Sequence, residues 1–228
     1  SPDGSRLAWL TWNHPNMPWD GTELWVAELS ADGLLGQTER VAGGVDESIF
    51  QPEWSPNGIL YFVSDRTGWW NLYRWRGRRV EPILQMEAEF GRPQWVFGLS
   101  TYALESANRI ICTYTQQGTW YLASLDIATR ELQRIETPYA EIRFLRAASG
   151  RAVFLAGSPA QPTSIVQLSL ATQELEVLRR SSEITIDPGY LALPEAIEFP
   201  TEQGLKAHAF YYAPRNSDYV APPGERPP

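Results

Sequence analysis

The stretch "WSPNGILYFVSDRTGWWNLYRW", residues 54–75, sets a Ser-Pro-Asn-Gly turn before an apolar run, then a polar loop holding two adjacent tryptophans, then a second aromatic run. Residues 1–10, "SPDGSRLAWL", repeat its opening. In both tetrapeptides proline fixes φ and glycine supplies φ > 0, so each reverses the chain between two strands. Ile59, Leu60, Tyr61, Phe62 and Val63 form a near-continuous apolar run, which fits a strand covered on both faces. The length of the run and its flanking turns exclude a helix.

The same grammar recurs along the chain. "TELWVAEL" at 22–29, "WNLYRW" at 70–75, "TWYLASL" at 119–125 and "SIVQLSL" at 164–170 fall at nearly regular intervals, each after another apolar segment and before a shorter one. "QPEWS", "RPQWVF" and "IRFLRAA" are read as a further strand per unit. Four antiparallel strands repeating roughly every 40–50 residues specify a β-propeller, whose blades bury their faces on one another. The expected architecture is all-β: a partial propeller over residues 1–184, with blades at about 1–49, 50–88, 89–138 and 139–184, the first lacking its innermost strand. Residues 185–228 read as a connector and a hairpin about Thr201-Glu202-Gln203-Gly204, ending in the Pro-rich "APPGERPP". The start within a turn reads as a cut. An open ring would expose strand edges, so self-association is expected.

Composition agrees with short strands and tight turns: ten Trp, ten Tyr and eight Phe stand beside 18 Pro and 17 Gly in 228 residues. Twenty-seven acidic against 19 basic residues give a net charge of −8, and no basic run forms a patch, which argues against nucleic acid as a partner. No stretch approaches the ~20 apolar residues of a membrane span. The single cysteine, Cys112, alternates with Ile110 and Tyr114 on one strand face and reads as a buried thiol; the lack of a partner for a disulfide favours a reducing, cytoplasmic compartment. His14 and His208 are the only histidines, and neither has the neighbours of a metal site, so no metal or cofactor is expected.

The ordered series "SPDGSRLAWLTWNHPNMPWDGTELWVAEL", "ESIFQPEWSPNGILYFVSDRTGWWNLYRW" and "EAEFGRPQWVFGLSTYA" resembles the propeller of prolyl-oligopeptidase-family serine peptidases, in the bacterial dipeptidyl-aminopeptidase and acylaminoacyl-peptidase-like branch. "PEAIEFPTEQGLKAHAFYYAP" is similar to the hairpin that opens the α/β-hydrolase domain in that family. The resemblance implies a hydrolase domain carrying a Ser nucleophile in a Gly-x-Ser-x-Gly elbow, with Asp and His after it. No Gly-x-Ser-x-Gly occurs in these 228 residues, so the catalytic set maps onto no position here and the chain alone is expected to be inactive.

Loops leaving the second strand of each blade, and loops passing to the next blade, share one propeller face. They are "WNHPNMPWDG" at 12–21, "GGVDESIF" at 43–50, "SDRTGWW" at 64–70 and "MEAEFGRP" at 86–93. The face gathers Trp12, Trp19, Trp69, Trp70, Phe50 and Phe90 with Asp20, Asp46, Glu47, Asp65, Arg66, Glu87, Glu89 and Arg92. Trp19, Asp20, Glu47, Arg66, Trp69, Trp70, Glu89 and Arg92 are the candidates for contact with substrate or with a second domain. Aromatic rings supply contact area at low entropy cost and fixed charges orient a partner. "SDRTGWW" places two large rings side by side, and only one can enter its own blade. The competing interpretation packs the rings between blades and pairs the charges internally.

The expected role is a non-catalytic propeller segment that walls and gates the chamber of a serine peptidase acting on short peptides, with the α/β-hydrolase domain of the same parent chain as partner. The alternative is a TolB-like or WD40-like protein-binding scaffold, which has little use for the hairpin at 195–214.

Overall fold

The computed structural model describes residues 1–222 and 224–225. The end of the Pro-rich segment, at residues 223 and 226–228, lies outside the described residues.

The chain forms five antiparallel sheets. The first joins β1 (Arg6–Thr11), β2 (Glu23–Leu29) and β3 (Leu35–Gly43); the second joins β4 (Ile49–Trp54), β5 (Leu60–Ser64), β6 (Asn71–Arg76) and β7 (Arg79–Leu84). The third contains β8 (Tyr102–Leu104), β9 (Arg109–Gln116), β10 (Thr119–Asp126) and β11 (Leu132–Ile135). The fourth contains β12 (Glu141–Ala148), β13 (Arg151–Ser158), β14 (Gln161–Ser169) and β15 (Leu175–Arg180), and β16 (Pro194–Pro200) pairs with β17 (Lys206–Tyr212) as a hairpin. Within every sheet, strands neighbour one another in chain order, as in a propeller blade. Among the described residues no helix is long and apolar enough to cross a membrane.

The repeated turns are wired alike. Ser55 Oγ donates to Asn57 Oδ1 at 2.6 Å and accepts the Ile59 N–H at 2.9 Å; Ser1 Oγ donates to Asp3 Oδ1 at 2.6 Å and accepts the Arg6 N–H at 2.9 Å. Gly4 and Gly58 close these turns at φ 72° and 74°. Because Ser1 begins the unit that Ser55 repeats, β1 is the counterpart of β5, and the first sheet has three strands where the next three have four.

Alternation along β5 explains the stacking. Leu60 and Phe62 join Leu24, Val26 and Tyr73 in a core shared with the first sheet, whereas Tyr61 and Val63 join Tyr102, Ile110 and Cys112 in a core shared with the third. The third sheet divides in the same way, with Cys112 facing back and Ile111 facing forward to Ile142, Phe154 and Val166. Cys112 is fully buried, and burial pushes its thiol far above the ordinary range, which disfavours the thiolate.

Inner strands of successive blades are tied side by side. Gln51, at φ 50° on a bulge of β4, accepts the Thr101 N–H at 2.8 Å and donates to Tyr102 O at 2.7 Å, while Tyr102 Oη donates to Gln51 O at 2.7 Å. Ser100 Oγ donates to Leu145 O at 2.8 Å, linking the approach to β8 with β12.

One expected strand is corrected. Residues 92–97, "RPQWVF", are not the inner strand of the third blade; that place belongs to Tyr102–Leu104, and 92–97 run through an irregular loop. Pro93 has no N–H for a ladder, and Trp95, Val96 and Phe97 are 73%, 55% and 83% exposed, with no facing sheet to cover them.

Candidate functional site

The loops between β1 and β2, β3 and β4, β5 and β6, and β7 and β8 meet at one end of the blades and are knitted together. Ser48 Oγ donates to Pro18 O at 2.9 Å, and the Ser48 N–H donates to Asp65 Oδ1 at 2.7 Å. Asn71 Nδ2 reaches Met86 O at 3.0 Å, and the backbones of Glu89 and Thr115 exchange hydrogen bonds of 2.9 Å in both directions. Burial pushes the Asp65 carboxyl above its ordinary value, against the hydrogen bond from Ser48.

Glu47 and Arg66 are brought together. Glu47 Oε1 accepts from Arg66 Nη2 at 2.7 Å, Arg66 Nε at 3.0 Å and Ser64 Oγ at 2.6 Å, and its Oε2 accepts the Gly43 N–H at 3.1 Å. The guanidinium carbon of Arg66 lies 4.8 Å from the Tyr73 ring centroid. Both charges are thereby engaged in fixing the two loops. Gly43 is required beneath them, because at φ 91° an added Cβ would fall 1.8 Å from Thr22 O.

The adjacent tryptophans diverge. Trp70 turns inward and stacks on Phe50 with centroids 5.9 Å apart. Its backbone is held on both sides: the Trp70 N–H donates to Glu89 Oε2 at 2.9 Å, and the Phe90 N–H donates to Trp70 O at 2.7 Å. Trp69 points outward, 39% exposed, into a cleft of about 710 Å³. Glu87 and the Gln116–Gly118 turn complete the propeller side of the cleft, and Ala196, Glu198, His208 and Phe210 of the hairpin form its other side. Phe210 rests on Gly118, where φ is 78° and a Cβ would lie 2.9 Å from the ring.

Arg92 sits on the next stretch of the face, its guanidinium carbon 5.0 Å from the Trp120 ring centroid and Nη2 3.7 Å from Glu141 Oε1. Burial lowers its pKa from the ordinary arginine value, with Glu141 opposing. Arg92 Nη1 and Gln94 Oε1 are buried without a hydrogen-bond partner among the described residues.

Trp19 packs against Trp95 with ring centroids 4.3 Å apart. Asp20 follows it, exposed, and accepts the Met17 N–H at 2.8 Å. Trp95 and Phe97 belong to this face and were missed as surface residues because 92–97 has the composition of a strand; Pro93 and Gly98 were the signal for a loop. His14 lies in an exposed loop and His208 in β17, 3.8 Å from Glu198. Among the described residues no group of three or more His, Cys, Asp or Glu could hold a metal ion.

Four meander sheets, stacked through strands buried on both faces and carrying their elaborated loops at one end, define a partial β-propeller. The chain shares its fold with the propeller of prolyl oligopeptidases and resembles solved peptidases over its full length. Over its whole length it is similar to a puromycin-hydrolysing peptidase from Mycobacterium tuberculosis, with 35% identity and a TM-score of 0.93, covering 36% of that chain. It matches a puromycin hydrolase equally at 35% identity and TM-score 0.92, covering 35% of that chain. Prolyl oligopeptidase B from Galerina marginata, bound to a 25mer macrocyclization substrate, shares the fold at TM-score 0.69 and 15% identity over 91% of this chain and 29% of its own. The chain therefore spans about a third of the length of these structures. No family profile and no curated protein match it.

Proposed function

We propose that the chain is the non-catalytic propeller segment of a serine-type peptidase that hydrolyses short peptides, and that its looped face walls and gates the chamber shared with an α/β-hydrolase domain of the same parent protein. The observation that carries this reading is the cleft between Trp69 and Phe210, where a hairpin outside the blades closes over the propeller face. The 35% identity to a puromycin-hydrolysing peptidase over the full chain supports it.

Of the candidate charges, Glu47 and Arg66 hold loops in place and Glu89 holds the Trp70 N–H, which leaves Asp20, exposed, and Arg92, short of one partner, for work on a ligand. Arg92, with one amino group unbonded, is assigned a peptide carbonyl or carboxylate. A wall of fixed dipoles and rings that excludes water strengthens such contacts and keeps the peptide oriented for attack. Whether the parent acts as a dipeptidyl aminopeptidase or an acylaminoacyl peptidase follows from whether the face receives a free, charged amino terminus or an acylated, neutral one.

Reading the gene beyond the codon for Pro228 tests the proposal directly. A continuing frame with a Gly-x-Ser-x-Gly elbow and later Asp and His supports it, as does labelling of the full-length product, and not of the 228-residue chain, by a serine-directed phosphonate. A frame that stops, or a full-length product that resists the reagent, overturns it in favour of a binding scaffold.

A further inference from the structure

The two Ser-Pro-Asx-Gly turns differ at their third place, which is Asp3 in one and Asn57 in the other. Asn57 is exposed, and of the six asparagines in the chain it is the only one followed by glycine. An amide side chain ahead of a glycine N–H is a reactive pair, because glycine carries no side chain to keep its backbone nitrogen away from the neighbouring carbonyl carbon.

The folded turn restrains both members of the pair. The Gly58 N–H donates to Ser55 O at 2.9 Å, and Ser55 Oγ donates to Asn57 Oδ1 at 2.6 Å, which ties the amide back toward Ser55. Gly58 is also gripped from the first blade: Arg6 Nη2 donates to Gly58 O at 2.9 Å, while the Arg6 guanidinium carbon lies 4.4 Å from the Trp54 ring centroid. Bringing the two groups together therefore requires a local opening that parts the turn from Arg6. Openings of this kind cost less than unfolding the whole molecule.

We propose that Asn57–Gly58 is a site of spontaneous deamidation, gated by the Arg6 contact that joins the first two blades. When the turn opens, the Gly58 nitrogen attacks Asn57 Cγ and forms a new N–C bond; the side-chain nitrogen takes up the displaced proton and leaves as ammonia, and a cyclic imide remains. Water then opens the imide. Attack at its side-chain carbonyl gives aspartate at position 57, and attack at its main-chain carbonyl gives isoaspartate, in which the chain runs through Cβ. The first product suits the fold, because Asp3 already fills this place in the other turn and accepts from Ser1 Oγ as Asn57 accepts from Ser55 Oγ, both at 2.6 Å. The second adds a methylene to the backbone and draws Gly58 O out of line with Arg6, so it loosens the first blade from the second. This inference stands apart from the peptidase reading.

The test incubates the full-length gene product at mildly alkaline pH and follows its tryptic peptide 41–66 by mass spectrometry; Asn57 is the sole asparagine of that peptide. The expected result is the slow appearance of two isomers carrying an acid in place of the amide at position 57, formed much faster when the protein is unfolded in urea. Arg6→Ala should raise the rate in the folded protein roughly fivefold, the scale of one hydrogen bond lost from the closed turn. Glu47→Gln, which loosens loops at the other end of the blades, should leave that rate at the wild-type value, and Asn57→Asp should keep the wild-type urea midpoint. No conversion in the folded protein over the time in which the unfolded protein is fully converted overturns the site. Equal rates in wild type and Arg6→Ala, or equal acceleration in Arg6→Ala and Glu47→Gln, overturn the gate. A lowered midpoint in Asn57→Asp overturns the accommodation of aspartate.

Discussion

Gly91 lies flat against the indole of Trp70: a Cβ built on Gly91 would stand 1.7 Å from Trp70 Cε3. The glycine after Phe90 is thus the seat of the inward tryptophan, and its φ is not what demands it. Gly91→Ala should destabilise the protein by about 1–3 kcal/mol through overpacking, with a lower urea midpoint and altered tryptophan fluorescence. Trp69→Ala, one residue before the seated ring, should lower the unfolding free energy by less than about 0.5 kcal/mol. Equal losses from the two would show that the rings are not divided between core and surface.

Arg66 donates through both Nε and Nη2 to Glu47 Oε1, with the Glu47 and Arg66 side chains 21% and 30% exposed. Partial solvent screening keeps such a pair modest, so a double-mutant cycle with Glu47→Gln and Arg66→Gln should give a coupling of roughly 0.5–1 kcal/mol in favour of the pair. A coupling of zero would return both residues to the pool of free charges on the face.

Glu53 gives the chain a pH response of unusual sign. Burial raises its pKa above the ordinary 4.5, opposed by the hydrogen bond from Gln51 and by Arg146. The folded state therefore binds the Glu53 proton more readily than the unfolded state, and this carboxyl's contribution to stability falls as pH rises from the unfolded value through the raised folded one. Glu81, Glu105 and Asp126 are shifted downward by their hydrogen bonds, and their contributions are lost only as pH falls further, through their lowered folded values. Acidifying from about pH 7 to about pH 5 should narrow the stability advantage of Glu53→Gln over wild type, as read by urea denaturation. An advantage that stays constant across that window would mean that Glu53 titrates alike in both states.

Leu7 on β1, Ile165 on β14 and Leu178 on β15 are 44%, 40% and 48% exposed on the two outermost blades. Light scattering on the 228-residue chain should show a dimer or larger species that dissociates on dilution. A monomer at every concentration would show that these outer faces and the edge of β1 are adequately covered by solvent alone.

The blades were legible because the fold writes them twice over: a Ser-Pro-Asx-Gly turn fixes where β1 and β5 begin, and unbroken apolar runs such as Ile59–Val63 report burial on both sides. The third blade was misread at its inner strand, since Tyr102–Leu104 is only three residues long and is held by the Gln51 side chain from the neighbouring blade, a contact 51 residues away. The Trp69–Trp70 pair announced that one ring had to leave the blade, but which one depends on the register in which β6 starts at Asn71 and on the vacancy at Gly91. The pairing of Glu47 with Arg66 crosses two loops and 19 residues, and charge type alone could not reveal that these two candidates satisfy each other.

The two-sided burial of β5 has a consequence for how the protein is made. Leu60 and Phe62 pack on Leu24 and Val26 of a sheet that precedes them in the chain, whereas the core around Tyr61 and Val63 is completed only by Tyr102, Ile110 and Cys112 of the sheet that follows. Because synthesis delivers the chain from its N-terminus, the second blade emerges from the ribosome with one side finished and the other wet until some forty more residues have followed. Each blade in turn is the template on which the next is completed, so a pause in translation between Ser64 and Tyr102 would hold the nascent chain at its stickiest point.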